Sequence, residues 1–242
     1  MRRTWRETAL GLFFPESPRC VLCGGALAGW WRVLRGPGLC EQCLAGVHAV
    51  SEPMCRVCGR VRQGVLCADC QREPHVFFTA RAYAHYDGIV EQAIKALKYQ
   101  GKRDIVPVLG EWLIEAYVQY HGDDRHMLVA PVPMHPSKQK RRGFNQAEEI
   151  ARVLSRRLRL KMAYPLRRVR LDQSQTTVTR GERLAAMDGA FDLNGDVGPS
   201  AVRGNEFLLV DDVLTTGGTA DACARVLFRH GAVSVHVLTV AR

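Results

Sequence analysis

From Ala80 onward the apolar positions fall into two rhythms, short unbroken runs and stripes spaced three and four apart. That alternation predicts strands interleaved with helices, and hence a layered α/β fold. Phe207 to Val210 is uninterrupted, as an inner strand of a parallel sheet covered on both faces must be. Ala80 to Tyr86 reads as an edge strand, Met127 to Val132 as a second strand and Val233 to Val240 as the last. Helical stripes lie between them. Gly88 to Tyr99 turns Val90, Ala93, Ile94 and Leu97 inward, and Val106 to Tyr120 does so with Val108, Leu109, Trp112 and Leu113. A helix opened by the capping-box spacing Asn145-x-x-Glu148 carries Ala147, Ile150, Ala151, Leu154 and Leu158 on one face. A final helix with Ala222, Cys223, Val226 and Leu227 ends at Gly231. Pro136 to Gly143 is basic and lacks apolar periodicity, so it reads as a mobile loop. The order of elements predicts a doubly wound, mostly parallel sheet.

The first third of the chain has a different pattern. Eight of the nine cysteines form four Cys-x-x-Cys pairs, Cys20/Cys23, Cys40/Cys43, Cys55/Cys58 and Cys67/Cys70. Each pair puts two thiolates on one knuckle, and two knuckles complete the four-sulfur shell of a structural Zn²⁺. Sequential pairing gives two ribbons and interleaved pairing a cross-braced module; spacing alone leaves both open. With four cysteine ligands no position remains for water, so such sites are structural. Cys223 falls on an apolar helix face and reads as a core residue. Thr4 to Phe14 reads as a short amphipathic helix packed on the zinc module, and Pro74 to Thr79 as a linker. The expected division is therefore an N-terminal helix with a zinc module over residues 1–75 and an α/β domain over residues 76–242. At 47% hydrophobic the 242 residues suffice for a sizeable core. The apolar run Ala9 to Phe14 is too short for a signal peptide or a membrane span, which predicts a cytoplasmic location without membrane insertion.

Charge is concentrated in one place. Residues 135–170 hold twelve lysines and arginines against Glu148 and Glu149, which equals the whole formal net charge of +10. Such a patch attracts polyanions, and pyrophosphate or nucleic acid would both fit. Arg152 to Arg159 lie on a predicted helix and point largely to solvent, which makes nucleic acid, DNA or RNA, a candidate partner of the segment. Aromatic interleaving is sparse, with only Phe144 and Tyr164.

The candidate chemistry lies in Glu206-Phe-Leu-Leu-Val-Asp-Asp-Val-Leu-Thr-Thr-Gly-Gly-Thr-Ala220. Asp211 and Asp212 stand at the carboxyl end of a strand, where open α/β sheets bind ligands. Thr215, Thr216, Gly217, Gly218 and Thr219 then offer hydroxyls and a close-approach backbone at a helix N-terminus, a ready site for phosphate. Acids beside a phosphate loop suit a sugar phosphate, the carboxylates accepting from vicinal hydroxyls while the loop holds the 5′-phosphate. No lysine follows Lys161, so the stretch is not a P-loop.

This stretch resembles the phosphoribosyl pyrophosphate (PRPP) motif of type I phosphoribosyltransferases. The four knuckles followed by Leu97-Lys-Tyr99, Pro131-Val-Pro-Met-His135, Arg142-Gly-Phe-Asn-Gln-Ala147, Gln173-Ser-Gln175, Arg183 with Gly189-Ala-Phe191, and Val210 to Gly217 resemble the ComF family. The resemblance implies a zinc-ribbon module on a phosphoribosyltransferase domain, linked in transformable bacteria to incoming single-stranded DNA and the competence machinery. It implies that Asp211 and Asp212 hold the ribose hydroxyls and Thr215 to Thr219 the 5′-phosphate. Pro131, Val132 and Pro133 would hold the diphosphate with a bridging Mg²⁺, and Lys98 belongs to the same ligand set. Arg141 and Arg142 would sit in a loop closing over the diphosphate, Arg142 with a catalytic role beside the two acids, and Gln173 to Phe191 would form the hood. Ala186 stands where the family usually has asparagine. Oxopurine-using relatives place an aspartate base four residues after the first acid, and Thr215 occupies that position. Two functions follow: a PRPP-binding protein of DNA uptake, or an active phosphoribosyltransferase of nucleotide metabolism with an unidentified acceptor and no nucleic-acid role.

Overall fold

A computed structural model describes residues 19–27, 38–170 and 189–242. The readings placed on Thr4 to Phe14, Gln173 to Gln175, Arg183 and Ala186 lie outside the described residues. Among those described, two short helices, α1 (Glu41–Ala45) and α2 (Ala68–Arg72), belong to the cysteine-rich part. The α/β part runs β1 (Thr79–Ala84), α3 (Gly88–Gln100), α4 (Val106–His121), β2 (Leu128–Pro131), α5 (Pro136–Arg142) and α6 (Gln146–Leu158). It continues with β3 (Leu166–Arg168), β4 (Phe191–Leu193), β5 (Glu206–Val213), α7 (Gly218–Arg229) and β6 (Ser234–Ala241).

Four strands form one sheet in the order β1-β6-β5-β2, every pair parallel. Side chains alternate across a strand, so the apolar run of β5 feeds both faces. Leu208 and Val210 join the core made by α3, α4 and α6, with Leu97, Leu109, Leu113, Ile150 and Leu154. Phe207 and Leu209 join the opposite core with Cys223, Val226 and Leu227 of α7 and with Leu166 and Phe191 of the β3–β4 hairpin. All four β5 residues are fully buried, each adding about 1.5–3 kcal/mol of transfer free energy. Helices α4 and α6 approach closely because Gly110 has no side chain: a Cβ there would lie 2.4 Å from Val153 Cγ1.

Each cysteine set closes in sequence order, Cys20, Cys23, Cys40 and Cys43 in one, Cys55, Cys58, Cys67 and Cys70 in the other. Within a set the sulfurs lie within 4.8 Å of one another, with Cys20–Cys43 at 3.8 Å and Cys23–Cys40 and Cys58–Cys67 at 3.6 Å. A tetrahedral Zn²⁺ with Zn–S bonds of about 2.3 Å requires edges of about 3.8 Å, so the donors fit zinc; a disulfide needs about 2.05 Å. The two knuckles share one build. Cys20 N donates to Gly25 O and Gly24 N to Cys20 O, and Cys55 N donates to Arg60 O and Gly59 N to Cys55 O. Two ribbons, not a cross-braced module, are therefore present.

The ribbons dock on the outer edge of β1. Val50 N donates to Tyr83 O and His85 N to His48 O on one side of the dock, and Ala80 N to Val57 O on the other. An edge strand with unpaired backbone invites foreign pairing, and this one is covered.

Two expectations need correction. Pro136 to Gly143 is helical, not a loop: Pro136 opens α5, His135 Nδ1 accepts from Ser137 N, and Gly143 closes it in the left-handed region. None of its residues is buried, so it has no apolar stripe to announce it. The capping box at Asn145 is half made. Asn145 caps α6 by accepting from Ala147 N, whereas Glu148 pairs with Arg152.

Candidate phosphoribosyl site

The carboxyl ends of β5 and β2 open into a cavity of about 350 Å³. Its walls include Asp211, Asp212, Thr215 and Thr219 from β5, the loop after it and the first turn of α7, Val132, Pro133 and Met134 after β2, Lys98 from α3, and Arg142 from α5. Residues far apart in sequence thus converge on one space. The remaining expected residues take adjacent places. Pro131 is buried in the last position of β2, off the cavity wall. Thr216, Gly217 and Gly218 form the turn beside it, where a smaller cavity of about 30 Å³ is bounded by Asp211, Thr215, Gly217, Gly218 and Thr219.

The turn follows from its residues. Gly217 caps α7 with φ 85°, a conformation costly for any residue with a Cβ, and Asp221 N closes the first helical turn on Gly217 O at 2.8 Å. Amides ahead of it have no helical partner and can face an anion. Behind β2, Val132 N continues the ladder to Val210 O, and Asn145 Nδ2 holds Val132 O at 3.0 Å. The cap of α6 thereby also fixes the loop opposite the acids.

Lys98 Nζ lies 2.7 Å from Asp212 Oδ2, an ion pair in which the Lys98 side chain is 19% exposed and that of Asp212 5%. Asp212 Oδ2 is buried with the Lys98 ammonium as its close partner, so a hydroxyl or a water-bearing hard cation would reach it by displacing that contact. Burial draws the Lys98 ammonium pKa down, and the charge and contact of Asp212 outweigh it, leaving it above the ordinary value. Asp211 is pushed up to about 8, first by burial and then by the neighbouring Asp212 charge, with Lys98 opposing.

Arg142 donates to Gln146 Oε1 at the rim, while Arg141 is exposed and off the cavity wall. The cavity also takes in Lys138 and Arg168 from the basic segment, Tyr99 and Gln146 from the motifs of the resemblance, and Tyr86, to which the sequence gave no role. Tyr99 is 76% exposed at the mouth, and Arg168 packs over Phe191 at 5.1 Å. Their signal was weak because four different elements and a loop deliver them. Of the hood, residues 189–191 are described: Ala190 and Phe191 are buried, and β4 pairs with β3.

The fold and the two cysteine centres define a class, a double zinc ribbon joined to a phosphoribosyltransferase-type domain. Residues 9–74 match the double zinc ribbon domain and residues 140–242 the phosphoribosyl transferase domain. The chain is 25% identical to competence protein ComFC of Bacillus subtilis, covering 92% of this chain and 94% of that one. It is 29% identical to competence protein F of Haemophilus influenzae (93% and 96%) and 27% identical to the DNA utilization protein YhgH of Escherichia coli (92% and 96%). Both domains in this order, with relatives matched nearly end to end, make this chain a member of the ComF family.

Proposed function

We propose that this chain binds PRPP, or another ribose 5-phosphate compound, with Mg²⁺ at Asp211 to Thr219, and that it does so in the handling of DNA taken up by the cell. The observation that carries the ligand is the convergence of the acid pair, the glycine turn, the post-β2 loop, Lys98 and Arg142 on one cavity at the carboxyl edge of the sheet. Asp211 and Asp212 accept from the ribose hydroxyls, displacing Lys98. The amides of Thr215 to Thr219 take the 5′-phosphate, and Val132 to Met134 with Arg142 face the diphosphate. Mg²⁺ fits the hard oxygen donors gathered here, and when bound supplies positive charge to the diphosphate oxygens. If the site performs transfer, the bond from the anomeric carbon to the diphosphate oxygen breaks with its electron pair on the leaving group. Arg142 and the α5 cations stabilise that charge, and the cavity holds the nucleophile beside the carbon.

Calorimetric titration of the zinc-loaded chain with PRPP and Mg²⁺ tests the ligand directly. Binding is expected for the native chain and loss of at least tenfold in affinity for Asp212→Asn, since a buried acceptor is replaced by an amide. No heat and no saturation with the native chain would refute the reading.

The DNA role rests on what the relatives are named for, competence and DNA utilization, and on the outer face of α6. Arg152, Arg156, Arg157 and Arg159 are all exposed there, although Glu148 and Glu111 partly neutralise Arg152 and Arg157. Single-stranded DNA affinity should fall steeply with salt, and less steeply when these four arginines become glutamine. A slope unchanged by those replacements removes α6 from the interface.

A further inference from the structure

Asp221 and His75 stand 146 positions apart and meet beneath the phosphate turn. Asp221 lies in the first turn of α7, the helix whose free amides the turn presents. Its carboxylate is turned away from that end: Oδ2 lies 2.7 Å from His75 Nδ1, and Oδ1 accepts from Val76 N at 2.7 Å. The His75 and Asp221 side chains are 3% and 2% exposed. A carboxylate only accepts, so the proton of the His75 contact sits on Nδ1. The imidazole stacks on Phe77, ring centroids 4.4 Å apart and planes 19° from parallel. Its position is therefore fixed on two sides.

The third side is the turn itself. A Cβ built on Gly217 would lie 2.5 Å from His75 Cε1, so the ring is packed directly against the backbone of that glycine. The same glycine caps α7 at φ 85°. A buried acid one turn from a phosphate dianion would repel it if left bare, and here the linker between the zinc ribbons and the sheet supplies both donors that satisfy it. A cavity of about 100 Å³ behind the turn is walled by Cys58, Arg60 and Asp69 of the second ribbon together with His75, Thr216 and Gly217. The second ribbon, the linker and Arg242 thus stand together behind the phosphate turn.

We propose that His75 is a positioning residue for the phosphate turn: with Asp221 it clamps the backbone of Gly217 in its anion-receiving shape, which makes the zinc module a working part of the phosphoribosyl site. This rests on the phosphoribosyl reading of the turn, and deepens it by naming what holds the 5′-phosphate cradle.

The test uses the full zinc-loaded chain and two probes, ribose 5-phosphate and inorganic pyrophosphate. For His75→Ala we expect a loss of about tenfold or more in ribose 5-phosphate affinity, the scale of a sub-ångström to ångström misplacement, with pyrophosphate affinity within twofold of native. His75→Gln keeps an N–H donor for Asp221 and should recover part of the loss, a rescue that a general packing defect would not give. The losses of His75→Ala and Asp221→Ala should be markedly less than additive when combined. In the absence of any ligand, amide hydrogen exchange across residues 215–220 should accelerate in His75→Ala while the β5 amides keep native protection. If His75→Ala does not fold, as judged by zinc content and near-ultraviolet circular dichroism, His75→Gln and Asp221→Asn carry the same comparison. Native affinity and native turn exchange in the variants would overturn the clamp. A native chain that ignores ribose 5-phosphate while the variant turn still exchanges faster would overturn the phosphoribosyl reading and leave the clamp standing.

Discussion

At the scale of single residues the acid pair sets the pH behaviour. Asp211 holds its proton to about pH 8 in the folded chain, against an ordinary value of 3.8. Below the ordinary value the group is protonated whether folded or not, and its contribution to stability is fully present. Between the two values only the unfolded chain ionises, so stability falls as pH rises and the loss is complete once the folded group also titrates. The ligand-free protein is expected to lose stability from about pH 4 to pH 8 through this group, and Asp211→Asn should flatten that part of the curve in urea titrations. An ionised carboxylate accepts from two ribose hydroxyls more strongly than the protonated acid does, so ligand affinity should rise towards pH 8 and binding at pH 7 should release a proton. Calorimetry in two buffers of different ionisation enthalpy measures that release. Equal heats in both would show that Asp211 binds ligand without changing its charge.

At the scale of elements, packing between α4 and α6 gives a sharper stability prediction than any surface charge. Gly110→Ala places a methyl 2.4 Å from Val153 Cγ1 and 2.6 Å from Val153 Cβ, so a helix must shift. A cost of about 1–3 kcal/mol is expected, read as a lower urea midpoint with unchanged slope. Val153→Ala in the same chain should return part of it by making room. Elements of this kind were legible in the sequence wherever burial repeats at the period of the element. The stripes of α3, α4, α6 and α7 and the run of β5 are the footprints of two cores on one sheet. Helix α5 left no such footprint because every residue in it is solvent-facing or half-exposed, and only Pro136 and Gly143 marked its ends. The acid pair and glycine turn were legible for a different reason, since one uninterrupted stretch supplies them. Gln146, Arg168 and Tyr86 reach the cavity from separate elements, and the His75–Asp221 contact spans 146 positions with no spacing rule to connect them. Which edge of the sheet the ribbons cover is likewise a tertiary fact, carried by backbone groups of residues 48–57 that any side chain would offer.

At the scale of the molecule the two metal centres are unequal, and that inequality can be measured. In the first set Cys23 is exposed, whereas all four cysteines of the second are buried. The second also has a basic neighbour: the guanidinium of Arg242, the residue after β6, faces Cys58, and its Nη1 is buried without a hydrogen-bond partner. A four-thiolate zinc centre carries a formal charge of about −2, so a half-buried arginine beside it is compensated and helps retain the ion. A strong chelator should therefore withdraw zinc in two phases, one equivalent early from the exposed set and one late from the buried set. Cys23→Ser should abolish the early phase alone. Arg242→Met should speed the late phase, because the cluster charge loses its counterpart. Since the buried set lies behind the phosphate turn and the exposed set packs against the opposite core with α3, ribose 5-phosphate binding should survive the first phase and disappear with the second. Simultaneous loss of both ions, or binding lost with the first, would mean that the ribbons stand or fall as one unit and that the second has no separate hold on the turn.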